Sequence, residues 1–190
     1  MSFKKLGDFI EQLNERNDNS SVTLLRGVST SKKFIESKAN MTGVSLHNYK
    51  VCRPGQFAYV SDTSRRGDKI AIAYNANEEF IVSSVYTVFE CDTKFLIPEF
   101  LFIWFNRPEF DRYARFNSWG SARETFDWDS MCSIMMPIPD LEKQKAIVAM
   151  EKTMRERKRI NEDLKSQIKS ICPVLMSGVV KTELVSTRKE

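Results

Sequence analysis

Catalysis in this chain would have to come from few side chains. There is one histidine, His47, and four cysteines, Cys52, Cys91, Cys132 and Cys172, with no C-x-x-C pair among them. Zinc wants clustered Cys and His ligands, so no metal site is expected. A Ser-His-Asp or Cys-His arrangement would rest on His47 alone, which reads better as a partly exposed polar residue. The glycines stand at 7, 27, 43, 55, 67, 120 and 178, no two closer than twelve residues. That spacing excludes the glycine-rich loops that cradle phosphates, and the turn of an S-adenosylmethionine site with them. No Asn-Pro-Pro-Tyr motif of a DNA methyltransferase is present either. Asp127 and Asp129 could hold a divalent ion, but an Asx turn capping a helix at Trp128 is the better reading. No catalytic residue and no cofactor are therefore expected.

Binding chemistry is better represented. Three basic clusters interleave with aromatics: Lys32-Lys33-Phe34, then Arg65-Arg66-Gly67-Asp68-Lys69, then Arg107 to Arg123 with Arg112, Tyr113, Arg115, Phe116, Asn117 and Trp119. Lysine and arginine supply phosphate contacts, and arginine and asparagine can read base edges. Ser118, Ser121 and the Gly120 backbone could approach a phosphate closely. The same pattern also fits solvated faces with Tyr113, Phe116 and Trp119 in the core. A net charge of +4 and a pI near 8.8 permit either.

The elements that would position these residues follow from periodicity and punctuation. With 190 residues, 42% hydrophobic and 28% charged, the chain has the size and composition of one globular domain, or of one domain plus an appendage. No apolar run reaches the 18 or so residues a membrane helix needs, and the start, MSFKKLGDF, lacks the pattern of a signal peptide. A cytoplasmic protein with reduced thiols is expected. Phe3, Leu6, Phe9, Ile10 and Leu13 recur at helical spacing, predicting an amphipathic helix over 3–16. Strands are expected over 22–28, on both sides of the Pro54–Gly55 turn, over 70–74, 80–89 and 134–138, with a short helix or turn over 29–40. Pro98 starts a helix that is broken or restarts at Pro108 and is ended by Gly120. The fold class is α+β: a mixed α/β domain over 1–139 without regular βαβ alternation.

From Asp140, a good N-cap, the pattern changes. Ile147, Met150, Met154, Arg157, Asn161, Leu164, Ile168, Ile171 and Leu175 alternate steps of 3 and 4, the rhythm of a coiled coil. Arg157 and Asn161 interrupt the apolar seam, and a polar residue there fixes register and partner number. A long helix over 140–178 and a loose tail over 179–190 are predicted. Such a helix is marginal alone and expects a partner.

Five ordered blocks resemble the specificity (S, HsdS) subunit of type I restriction–modification systems. They are KLGDFIEQLNERN (5–17), YKVCRPGQFAYVSDTSRRGDKIAIAY (49–74), IVSSVYTVFE (81–90), LIPEFLFIWFNRPEFDRYARFNSWGSARETFDWD (96–129) and PIPDLEKQKAIV (137–148). In the last, Lys143 stands where the family more often has glutamate before Gln144. The resemblance implies a half-length form: one target-recognition domain that reads half of a bipartite site in double-stranded DNA, then one spacer helix. Its expected partners are the modification (M) methyltransferase subunits, the restriction (R) subunit indirectly, and a second copy paired antiparallel. It also implies that S-adenosylmethionine, ATP and magnesium act on partner subunits. DNA contact is expected from Lys32, Lys33, Arg65, Arg66, Lys69, Ser121 and Arg123, and dimerisation from Ile147, Met150, Met154, Asn161, Leu164, Ile168 and Ile171. The alternative is a coiled-coil interaction protein that binds modification subunits without reading DNA.

Overall fold

The structure is a computed structural model, and it describes residues 3–37, 45–63, 69–121 and 123–186, with backbone alone for 174, 175 and 177–186. Two compact units result, residues 1–148 and residues 149–190.

The first unit is built on an antiparallel sheet in the order β2-β9-β6-β7, formed by β2 (Ile10–Leu13), β9 (Tyr86–Cys91), β6 (Phe57–Val60) and β7 (Ile72–Tyr74). Side chains alternate across a strand, so each strand supplies two faces. Phe57, Tyr59, Ile72 and Phe89 fill one core with α1 (Pro98–Phe105), α2 (Pro108–Phe116) and α3 (Trp128–Cys132). Phe57 stacks on Phe89 at 4.9 Å and meets Phe105 edge-on at 5.9 Å. Burying each such ring stabilises by about 1.5–3 kcal/mol. The opposite face is lined by smaller residues, Ala58, Val60, Ala71, Ala73 and Val88. That lets two ribbons lie close on it: β3 (Arg26–Val28) with β4 (Phe34–Glu36), and β5 (Lys50–Cys52) with β8 (Phe80–Val82). Both faces are covered, which explains why the central strand β6 is buried throughout.

Proline and glycine punctuation places several elements where the sequence predicts them. Pro54–Gly55 turns β5 into β6, with Gly55 at φ +92°, and Pro98 and Pro108 each open a helix. Other expectations are corrected. Residues 3–16 do not form an amphipathic helix. Phe3–Lys5 is a strand, β1, paired with β10 (Met135–Pro137); a 3₁₀ turn follows over Leu6–Asp8, and β2 then pairs with β9. The spacing of Leu6, Ile10 and Leu13 imitates a helix, but partners remote in sequence decide, and Phe3 is exposed. Gly7 belongs to this arrangement, because a Cβ there would lie 2.7 Å from that of Cys132. Only Arg26–Val28 of 22–28 is a strand, and 34–36 is its hairpin partner rather than a helix. The expected strand over 80–89 is two, broken where the Tyr86 N–H donates to the Ser83 carbonyl. α2 ends at Phe116, before Gly120.

The long helix, α4, runs from Leu141 through Pro173 to Ser186, so the loose tail expected from 179 is helical as far as Ser186, and 187–190 lie outside the described residues. Its 46 residues correspond to about 69 Å at 1.5 Å per residue. One lost hydrogen bond at Pro173 does not end a helix of this length. Its first two turns, to Val148, belong to the globular unit.

Candidate nucleic-acid interface

Asp111, in the first turn of α2, joins three segments. Its carboxylate accepts the backbone N–H of Ile70 at 3.2 Å and pairs with the Lys32 ammonium at 2.9 Å. Lys32 also donates to the Phe105 carbonyl and lies 5.5 Å from the Phe110 ring centroid. Its backbone takes the left-handed conformation, φ 59°, in the β3–β4 turn. Lys32 is thus buried, with its charge satisfied inside the domain. Its neighbour Lys33 is exposed, as is Lys69 beside the anchored Ile70. The turn carrying Lys33 and the segment carrying Lys69 are consequently both moored to α2.

α2 then leads into a tightly tied loop. Trp119 and Thr125 exchange two backbone hydrogen bonds, at 3.1 and 2.9 Å. Thr63 donates to the Glu124 carbonyl through both its N–H and its hydroxyl, and the Phe126 N–H donates to the Ser61 carbonyl. An Arg115–Glu124 ion pair ties the loop back to α2. Gly120 sits at φ +135°, and a Cβ there would run into the Arg123 carbonyl oxygen. A glycine is therefore needed twice over, for its conformation and for its missing side chain.

This loop holds aromatic surface out to solvent. Phe116 is 82% exposed and Trp119 72%, which corrects the reading of both as core residues; Tyr113 alone is half-buried, edge-on to Phe126. Ser121 and Arg123 are exposed on the same loop. Between Asp111 and Glu124 the chain carries Arg112, Arg115 and Arg123 and no acid. Among the described residues, Arg123, Lys33 and Lys69 have no ion-pair partner, whereas Arg107 and Arg112 share Glu109. Arg65 and Arg66 lie outside the described residues.

Other candidate chemistry takes structural roles. Asp127 caps α3, accepting the Ser130 N–H at 2.8 Å. No group of three or more His, Cys, Asp or Glu side chains suited to a metal is found among the described residues. Burial pushes the thiols of Cys52 and Cys91 up to about 12, leaving them protonated at neutral pH. His47 is exposed, near Asp18.

The start of α4 is fastened by Gln144, a fully buried side chain that the sequence singles out only through the resemblance. Its Oε1 accepts the Ile97 N–H, and its Nε2 donates to the carbonyls of Phe95 and Pro139, all at 2.8 Å. Every polar atom of the amide is used. Lys143 points outward, paired with Asp140, which also caps the helix through the Lys143 N–H. A charged residue other than glutamate is therefore accommodated at 143.

Beyond Val148 the apolar residues lose their cover. Ile147 is half-buried against the domain core, but Met150, Met154, Leu164, Ile168 and Ile171 are 50–65% exposed, and Asn161 lies exposed among them. The outer face is laced by ion pairs within the helix, including Arg155–Glu151 at 2.6 Å and Arg159 with Glu156 and Asp163. Polar outside and uncovered apolar inside is the profile of a helix that packs against another.

The family described as the type I restriction modification DNA specificity domain matches residues 1–170. The chain belongs to this family. Among solved structures it resembles the HsdS subunit from Thermoanaerobacter tengcongensis, with a TM-score of 0.67 at 23% identity over 92% of this chain and 47% of that one. It also resembles a chain from a study of complex assembly and conformational transition of the type I R-M system (TM-score 0.55, 15% identity, 89% and 43% covered). The specificity-domain chain thus spans less than half the length of either relative. No curated protein matches it. These likenesses bear out the mixed α/β domain followed by a long helix. No helix among the described residues is long and apolar enough to cross a membrane.

Proposed function

We propose that this chain is a DNA-recognition subunit of a type I restriction–modification complex. Its globular unit reads one half of a bipartite site in duplex DNA, and α4 docks methyltransferase subunits and pairs antiparallel with a second copy. Methyl transfer, and the S-adenosylmethionine, ATP and magnesium it and cleavage require, belong to the partner subunits. The observation that carries the reading is the loop formed by residues 117–121 and 123–125. It is fixed by backbone hydrogen bonds yet presents Trp119, Ser121 and Arg123, next to Phe116, to solvent. Rigid aromatic surface flanked by unpaired cations suits a polyanion with stacked, partly apolar edges. Lys33 and Lys69 on neighbouring segments supply phosphate contacts. Lys32 supports them from beneath by anchoring its turn.

Tryptophan emission provides the test, since Trp104 and Trp128 pack against the core while Trp119 is exposed. A pool of random-sequence duplexes at low salt should bind and shift the emission of the native chain but not of Trp119→Phe. Lys33→Ala should weaken all sequences alike and lower the slope of log affinity against log salt by about one. Binding that leaves Trp119 emission unchanged would place the interface elsewhere. If the chain captures a methyltransferase subunit but no duplex, the alternative stands: an interaction protein that does not read DNA. The uncovered stripe after Val148 is the observation that favours that second reading.

A further inference from the structure

We infer that two copies of α4 pair in one particular register, with the two-fold axis at the level of residue 159. The inference rests on the self-pairing proposed above and adds its geometry. In an antiparallel pair, alternate seam positions of one helix face the complementary positions of the other, so facing residue numbers add to a constant. Eight seam positions run from Ile147 to Ile171, and six are apolar; the exceptions are Arg157 and Asn161, four residues apart. When the facing numbers add to 318, all eight positions find a partner. Ile147 then faces the partner's Ile171, Met150 the partner's Ile168, and Met154 the partner's Leu164. Arg157 faces the partner's Asn161, so the two polar residues meet each other and no apolar one. Sliding by one heptad either way opposes Asn161 to Met150 or to Leu164, burying an amide against an apolar side chain without a partner. An orphaned buried polar group costs about 1–3 kcal/mol, and two-fold symmetry doubles every such mismatch.

The flanks agree with this register. Beside the axis Ile160, itself 46% exposed, meets its own copy and covers one side of the polar layers. Glu151 comes near the partner's Lys165. Lys158 faces its own copy on the other flank, an unfavourable contact moderated by Glu162, 4.0 Å away on the same helix. The register also sets a length. Val148, where the helix leaves the globular unit, lies level with position 170 of the partner. The two points of departure are therefore 22 residues apart along the pair, about 33 Å at 1.5 Å per residue. That matches one turn of B-DNA, about 34–36 Å.

Disulfide trapping tests the register, because facing seam residues come within bonding reach and residues a heptad away do not. In the Cys172→Ser background, which removes the exposed native thiol, Met154→Cys with Leu164→Cys should oxidise to a covalent dimer near 44 kDa, twice 22.0 kDa. Met154→Cys with Ile171→Cys, which face each other when the helices slide by one heptad, should remain at 22.0 kDa. All four positions are exposed and on α4, so circular dichroism of the reduced proteins should match the native chain. Trapping of the second pair instead of the first would overturn the register while leaving self-pairing intact. A chain that sediments as a monomer at micromolar concentration would overturn the self-pairing itself.

Discussion

The two units of this chain treat the same side-chain types in opposite ways. Within residues 1–148 even a lysine, Lys32, is drawn inside and given a carboxylate, a carbonyl and an aromatic ring. After Val148, five seam residues with no polar atoms to satisfy stay half or more exposed. The first unit closes its own interactions, so its stability should not depend on concentration. The second leaves apolar surface uncovered, and under the self-pairing proposed above its stability should depend on concentration.

Substitutions can break that contrast, and the largest effect is expected at Asp111. Asp111→Ala leaves the Lys32 ammonium buried without its partner and should cost about 3–5 kcal/mol in denaturant unfolding of the globular unit. Lys32→Met combined with Asp111→Leu removes both charges and should recover part of that loss, the remainder being the Ile70 N–H and Phe105 carbonyl left without partners. If Asp111→Ala costs under about 1 kcal/mol, the lysine escapes to solvent and the contrast between the two units fails.

A smaller effect separates the ends of α4. Gln144→Leu orphans the Ile97 N–H and the carbonyls of Phe95 and Pro139, and each buried orphan costs about 1–3 kcal/mol where water cannot replace the lost bond. Its midpoint should fall at every protein concentration. Leu164→Ala, twenty residues on, should leave the midpoint of the globular unit within about 0.5 kcal/mol and instead weaken self-association. Analytical ultracentrifugation alongside urea melts separates the two outcomes.

The smallest expected effect is on pH. Hydrogen bonds from the Lys143 ammonium and N–H hold the Asp140 carboxyl below its ordinary value of 3.8. A carboxyl depressed in the folded state stabilises above its unfolded value, and that contribution disappears as pH falls through the folded one. Melting of the first turns of α4 should therefore become easier below about pH 4, and Asp140→Asn should flatten the dependence. An unchanged acid limb in Asp140→Asn would show that the cap contributes nothing measurable.

How far the sequence reveals this molecule depends on where the deciding contact lies. Pro54–Gly55, Pro98, Pro108 and the Asp127 and Asp140 caps act within a few residues, and each was legible. The long helix α4 was equally legible, because helical periodicity is local. Residues 3–16 were not, since β9 and β10, which decide their conformation, lie more than seventy residues on. Lys32 and Lys33 are the same residue type side by side, and only Asp111, remote in sequence, separates buried anchor from exposed cation. Phe116 and Trp119 run against the rule that large aromatics fill cores. The loop that holds them out depends on Thr63 and Ser61, which no local pattern connects to it.

Whether the chain reads sequence in DNA is decided by selection from random duplexes. The chain, together with its methyltransferase subunit, is used to capture duplexes, and those retained are sequenced. Enrichment of one motif in two parts, each the inverted copy of the other across a fixed gap, is expected. Retention of the methyltransferase subunit with no enriched motif would contradict sequence reading by the chain.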